Sequence, residues 1–352
     1  MKYFLLFLLL AFYSITFPQT EEAKTKFTVA IKLVDAGKYD EGIKLFEEVQ
    51  KLDPSSSAPQ YEIAYAYYAQ KKYDKAIVIL EKIKNMPDAE DRYFALLGNA
   101  YDLTNDRDKA IETYEAGLKK FPKSGSIYLE LGVVKLDEKK YDKALKFFEK
   151  GIEVAPTHPS NYYWASILWA DTKDRIWALI YGEIFLNLEK NSKRTENISK
   201  LMFDVYKDGF EFEDNAIKTH LSNTDDVQSS KIEADKLMNS FKVKGYEFPM
   251  ALSAVGQNKI DLKSLNEIRT NYLDFYYKEG YDKIFPNIVF KYQKKVKDAG
   301  FLEAYNYWIL YDGDRKDQAE WQNKNQETWN KFIKWFDKNP MTINENNKFV
   351  RQ

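Results

Sequence analysis

Side-chain chemistry in this sequence would have to start from very few groups. The chain has two histidines, His158 and His220, and no cysteine. Disulfides, thiolate metal sites, a cysteine nucleophile and a lipid-modified cysteine anchor are therefore excluded. Neither histidine has a histidine or glutamate four residues on, the spacing that places two ligands on one helix face. His158, between Thr157 and Pro159, reads as a solvated linker residue. His220 reads as a charge near a helix end, where the dipole favours it. Asp312, Asp314, Asp317 and Glu320 hint at a calcium loop, but their spacing is wrong, and Arg315 and Lys316 would repel a cation. That stretch reads as a turn with an N-cap. Lys291, Lys294, Lys295 and Lys297 suit a solvated helix face. Glu211, Glu213 and Asp214 are ordinary in a chain with 30% charged residues. Gly-rich phosphate loops and nucleophile elbows are missing. The sequence assigns no catalytic residue, no cofactor and no metal, and the expected class is non-enzymatic.

What the chain has in excess is aromatic: 26 Tyr, 23 Phe and 7 Trp among 352 residues, a length that suggests roughly two domains. The formal charge of −1 argues against nucleic acid as a partner, which requires concentrated basic surface. Lys2 precedes an apolar run, Tyr3 to Tyr13, that extends loosely to Phe17 and is broken by Pro18, Glu21 and Glu22. This is the order of a secretory signal peptide, and the run is shorter than the ~20 residues a spanning helix needs. Residues 1–20 are therefore expected to be a signal peptide. The mature chain is expected to lack a transmembrane segment and to be periplasmic or secreted.

The elements that must carry the aromatics announce themselves as a repeat. Small residues recur at Ala30, Ala64, Gly98, Gly132 and Ser166, and again at Gly42, Ala76, Ala110, Ala144 and Ala178, with 34 residues between successive members. Large residues stand at Phe46, Leu80, Tyr114 and Phe148, and Pro54, Pro122 and Pro156 close three of the blocks. Each block reads as two short amphipathic helices. The small residues allow close helix approach, the large ones fill the gap, and proline ends the second helix. One pair cannot bury its apolar face alone, so neighbours must stack. Tyr39, Tyr73, Tyr101, Tyr114 and Tyr141 are expected to wedge between repeats. With Gly182 at the large position and Lys190 in place of proline, the fifth block is degenerate.

With blocks beginning near Ala23, Ser57, Asp91, Gly125 and Pro159, the sequence resembles the tetratricopeptide repeat family over residues 21–190. The resemblance implies an all-α fold, an α-solenoid of about five helix pairs whose first helices line a concave face. Carried over residue by residue, it puts Phe27 and Ile31, then Tyr61, Tyr65 and Tyr68, on that face. Arg92, Asn99 and Asp102 follow, then Leu129, Val133 and Tyr163. Only Asn99 suits the carboxylate clamp of some family members. The implied partner is instead a protein or peptide segment, apolar in character, bound where tyrosine offers contact area and a polar tip. The alternative is that the C-terminal half folds back and fills the groove.

From Asn191 to Gln352 the period is lost while helical patterning persists, and a helical C-terminal domain is expected. Helices are anticipated at Ser192–Tyr206, Asp261–Tyr277, Ala299–Tyr311 and Gln318–Phe336, a polar loop at Leu221–Ser230 and a short extended piece at Phe241–Phe248. All seven Trp lie at or after Trp164, and Trp308 to Trp335 are expected in a core. The reading is an exported scaffold. Its rivals are a glycan-binding envelope protein using Trp and Tyr, and an enzyme hidden in residues 191–352 around His220.

Overall fold

Each block holds two apolar stripes at helical spacing separated by a short polar turn, and both stripes fold as helices. The computed structural model describes residues 20–213, 216–223 and 237–351. The apolar run read as an export signal lies outside them, as does most of the loop expected at Leu221–Ser230. The pairs are α1 (Glu21–Asp35) with α2 (Tyr39–Leu52), and α3 (Ala58–Ala69) with α4 (Tyr73–Ile83). Then come α5 (Asp91–Leu103) with α6 (Arg107–Lys120), α7 (Gly125–Asp137) with α8 (Tyr141–Val154), and α9 (Pro159–Ala170) with α10 (Ile176–Leu188).

The turn inside a pair is itself periodic. Gly37, Lys71, Asn105 and Lys139 all have positive φ, between 59° and 77°, at the same place in four successive blocks. A left-handed residue lets the next amide reach back to close the first helix. Lys38, Lys72, Asp106 and Lys140 donate in this way to the carbonyls of Leu33, Tyr67, Tyr101 and Lys135 at 2.8–2.9 Å. Small and large residues also meet as their spacing requires. A Cβ on Gly98 would lie 2.2 Å from the Tyr114 ring, and one on Gly132 would lie 2.3 Å from the Phe148 ring. Tyr141, by contrast, opens α8 at the surface with 54% exposure and wedges nothing.

Two compact units divide inside α7, between Glu130 and Leu131. In the first, Phe27, Ile43, Phe46 and Val49 make one buried cluster, and Ala64, Leu80, Tyr93 and Leu97 belong to another.

In the second unit the fifth pair shares its core with the later helices. The chain continues as α11 (Lys193–Gly209), a hairpin of β1 (Phe210–Glu213) and β2 (Ala216–Thr219), and a π-helical stretch Phe241–Glu247. It ends with α12 (Phe248–Ser253), α13 (Leu262–Lys278), α14 (Tyr281–Ile284), α15 (Ile288–Asp298), α16 (Leu302–Ile309), α17 (Arg315–Lys324) and α18 (Gln326–Lys338). Gly182 of α10 leaves room for α11: a Cβ there would meet Met202 Sδ and Ser166 Oγ at 3.0 Å and Ile198 Cγ2 at 3.1 Å. The degenerate repeat is thus shaped to receive α11.

A buried polar cluster lies among these helices. Arg269 of α13 pairs with Glu183 of α10 at 2.9 Å, and Tyr305 and Gln293 also donate to Glu183, at 2.9 and 2.7 Å. Burying charge is tolerated when pairing and hydrogen bonds compensate it.

Two sequence expectations differ from the structure. Phe241–Phe248 is not extended: its alternating apolar residues imitate a strand, but the wider π turn brings Phe241 and Tyr246 together, with ring centroids 6.2 Å apart. The only extended pair among the described residues is the hairpin Phe210–Glu213 with Ala216–Thr219, paired Phe210 to Thr219. Gln318–Phe336 is two helices, broken at Asn325, whose side chain caps the Trp321 carbonyl at 2.9 Å. The turn with an N-cap expected before α17 is present: Asp314 accepts from the Asp317 amide at 3.0 Å.

Candidate functional site

In the first unit the first helices of successive pairs lie side by side, α1 by α3 and α3 by α5. Their shared face collects most of the expected groove residues, and burial sorts them. Phe27 is no surface residue: it is buried edge-on against Phe46, ring centroids 5.2 Å apart, because its helical spacing with Ala23, Ala30 and Val34 turns it into the core. Leu129 is likewise buried, and Ile31 packs half-buried on the Phe27 cluster.

The rest form a polar and aromatic network. Tyr61, expected on the surface, is buried too: it stacks on Tyr93 at 4.7 Å, and the Arg92 guanidinium covers its ring at 4.3 Å. Arg92 is held from below by Glu62 at 3.2 Å and from the side by Glu90 at 2.8 Å. Tyr65 and Tyr68 are half-buried beside it. Tyr114 donates to Asn99 Oδ1, and Asp102 accepts from Arg107 at 2.9 Å. Glu130, hydrogen-bonded to Asn99 and close to Asp102, lies at the far end.

Two members of this network were not expected from the sequence. Glu62 and Glu130 occupy the same register in α3 and α7, two periods apart, with Leu96 between them. Both are buried, and burial pushes each carboxyl up to about 7. For Glu62 the desolvation outweighs the opposing effect of Arg92. The signal available in the sequence was an acid at a register that the intervening repeat fills with leucine. Burial also raises the hydroxyls of Tyr65 and Tyr68, so both stay neutral hydrogen-bonding groups.

Val133 and Tyr163 belong to the second unit. Val133 is half-buried. Tyr163 is occupied by the chain itself: Arg194 of α11 stacks over it at 5.2 Å, held by Ser160 at 2.9 Å and by Glu189. At this position the C-terminal half does fold onto the repeat.

Two tetratricopeptide repeat profiles match, over residues 33–100 and 96–159. The chain carries tetratricopeptide repeats. The matched residues run from the last turn of α1 through α8, and the helix-pair architecture continues through α10. Among solved structures, the Pseudomonas aeruginosa pilF protein shares 16% identity, covering 64% of this chain and 96% of its own, with a TM-score of 0.45. TTC0263, a thermophilic tetratricopeptide repeat protein of Thermus thermophilus, shares 16% over 51% of this chain and 98% of its own, TM-score 0.43. The MamA protein shares 21% over 48% and 92%, TM-score 0.36. Likenesses this partial carry no functional information. Among curated proteins there is no match.

In general terms the repeats mark an interaction scaffold. His220 sits on the exposed hairpin rather than at a helix end, 3.3 Å from Glu211. Among the described residues no group of acids and histidines could hold a metal ion, and no helix is long and apolar enough to cross a membrane. The described tryptophans are buried or half-buried, as in the stack of Trp321 on Tyr307 at 4.4 Å.

Proposed function

We propose that the chain is an exported scaffold that binds a protein or peptide segment on the face built by α1, α3 and α5, with residues 191–352 as a supporting helical domain. The observation that carries this reading is the convergence of half-exposed Tyr65, Tyr68, Arg92, Asn99 and Asp102 on one face. Tyrosine and arginine are the side chains that contribute most at interfaces, through large rigid area and planar hydrogen bonding. Glu62 and Glu130 lie buried beneath that face and are already partnered by Arg92 and Asn99, so the expected partner remains a segment with an apolar body. Export rests on the Lys2–Phe17 run and places the scaffold in the periplasm or outside the cell.

Crosslinking capture from the native envelope tests the reading. Tyr65→Asp should abolish the crosslinks made by the wild-type chain while the far-UV circular dichroism stays unchanged. An undiminished crosslink pattern in a folded Tyr65→Asp chain would refute binding on this face.

A further inference from the structure

Within the second unit, Glu149 of α8 is prepared for a guanidinium. Its Oε1 accepts from Trp169 Nε1 of α9 and from the Tyr181 hydroxyl of α10, each at 3.2 Å. Both donors stand on repeat helices, so the carboxylate is oriented before anything else reaches it. An indole lies alongside, and carboxylate plus aromatic face is the pairing that arginine uses best.

The pocket is filled by the chain's own segment Lys348–Arg351. Arg351 Nε and Nη2 meet the two Glu149 oxygens at 3.0 and 3.2 Å, a bidentate fork, and its guanidinium covers Trp169 at 4.6 Å. The Arg351 amide donates to the Tyr181 hydroxyl at 3.1 Å, so the backbone is read as well. Two residues earlier, Phe349 stacks on Trp177 at 5.9 Å, with Phe241 at 6.1 Å. Lys348 Nζ donates to the Glu153 carbonyl. The receptor is more buried than its occupant: the Glu149 side chain is 12% exposed and that of Arg351 is 35%. The residues leading in, Asn344 to Asn346, are exposed, and Lys348 to Val350 are half-buried.

We propose that Glu149, Trp169, Trp177 and Tyr181 form an arginine-recognition slot for peptide segments bearing an aromatic residue two positions before an arginine, with Lys348–Arg351 its occupant in cis. The partner is a peptide of that chemistry, which competes with the chain's own segment. The slot shares no residue with the face proposed above and stands or falls separately from it.

The test uses the full chain carrying Phe349→Ala and Arg351→Ala, which empties the slot, and a fluorescein-labelled peptide spanning the sequence of residues 344–351. Fluorescence anisotropy should show saturable binding to this variant and binding about tenfold or more weaker to the wild type, where the cis segment competes. Replacing the peptide's arginine with lysine should weaken binding by about tenfold, since lysine cannot form the fork. Adding Glu149→Gln to the chain should weaken it similarly. The peptide substitution leaves the chain untouched, so it decides even if Glu149→Gln perturbs folding. Absent binding, or equal binding of the arginine and lysine peptides, overturns the proposal. So does a concentration-dependent wild-type dimer in sedimentation that the double variant loses, which would make the occupant a second copy's segment.

Discussion

Gly182→Leu separates what the repeat suggests from what the structure requires. Gly182 stands where four earlier blocks have Phe46, Leu80, Tyr114 and Phe148, so leucine looks like a repair. On repeat logic it would remove a helix glycine, worth about 1 kcal/mol, and bury a side chain worth about 1.5–3 kcal/mol. The structure reverses the sign. A Cβ at 182 already comes within 3.0 Å of Met202 Sδ and Ser166 Oγ and 3.1 Å of Ile198 Cγ2. Met202 and Ile198 are both 0% exposed, so the further leucine carbons have no vacant space to enter. Overpacking costs about 1–3 kcal/mol, and displacing α11 forfeits part of the burial of Met202 and Ile198 as well. The expected outcome is a net loss of about 2 kcal/mol. Urea unfolding of the full chain measures it, followed by circular dichroism and by fluorescence, which reports on the second unit because all seven Trp lie at or after Trp164. A raised unfolding midpoint would refute the claim that α11 owns this space. The double variant Gly182→Leu/Met202→Ala should recover part of the loss relative to the summed single effects. Strict additivity would refute the steric account.

Two further outcomes arise from the buried charges. Glu130 titrates near 7 in the fold against 4.5 ordinarily, so the folded chain holds the extra proton between those values and stability falls as pH rises through them. That displacement corresponds to about 3 kcal/mol as an upper bound. Glu130→Gln should therefore raise the melting temperature at pH 8 and leave it nearly unchanged at pH 5; an equal gain at both would show that the carboxyl is not held neutral. Glu183→Ala leaves Arg269 charged and buried, and should cost about 3–5 kcal/mol in urea unfolding. A loss below about 1 kcal/mol would mean that the cluster does not join the fifth pair to the later helices.

The repeat period, the five helix pairs and most of their boundaries are legible in the sequence because the forces behind them are local. Tyr39, Tyr73, Arg107 and Tyr141 each open a second helix, and Asp91, Gly125 and Pro159 each open a first. Helical spacing, a left-handed turn residue and one small–large contact between partners within each block suffice to set them. The composition of the recognition face was only partly legible. Phe27 and Leu129 share the register of Tyr61 and are buried as it is; for Phe27 the spacing with Ala23, Ala30 and Val34 already marks the core stripe, which the family's groove positions overrode. Glu62 and Glu130 look like ordinary surface acids until neighbouring helices bury them. Other features depend on partners far along the chain: Gly182 on α11, Glu183 on Arg269, and Glu149 on Arg351. Sequence spacing carries the information for contacts within one or two turns or one repeat. Which distant segment covers a given face is settled only when the whole unit packs, because burial and pairing are then shared among all its helices at once.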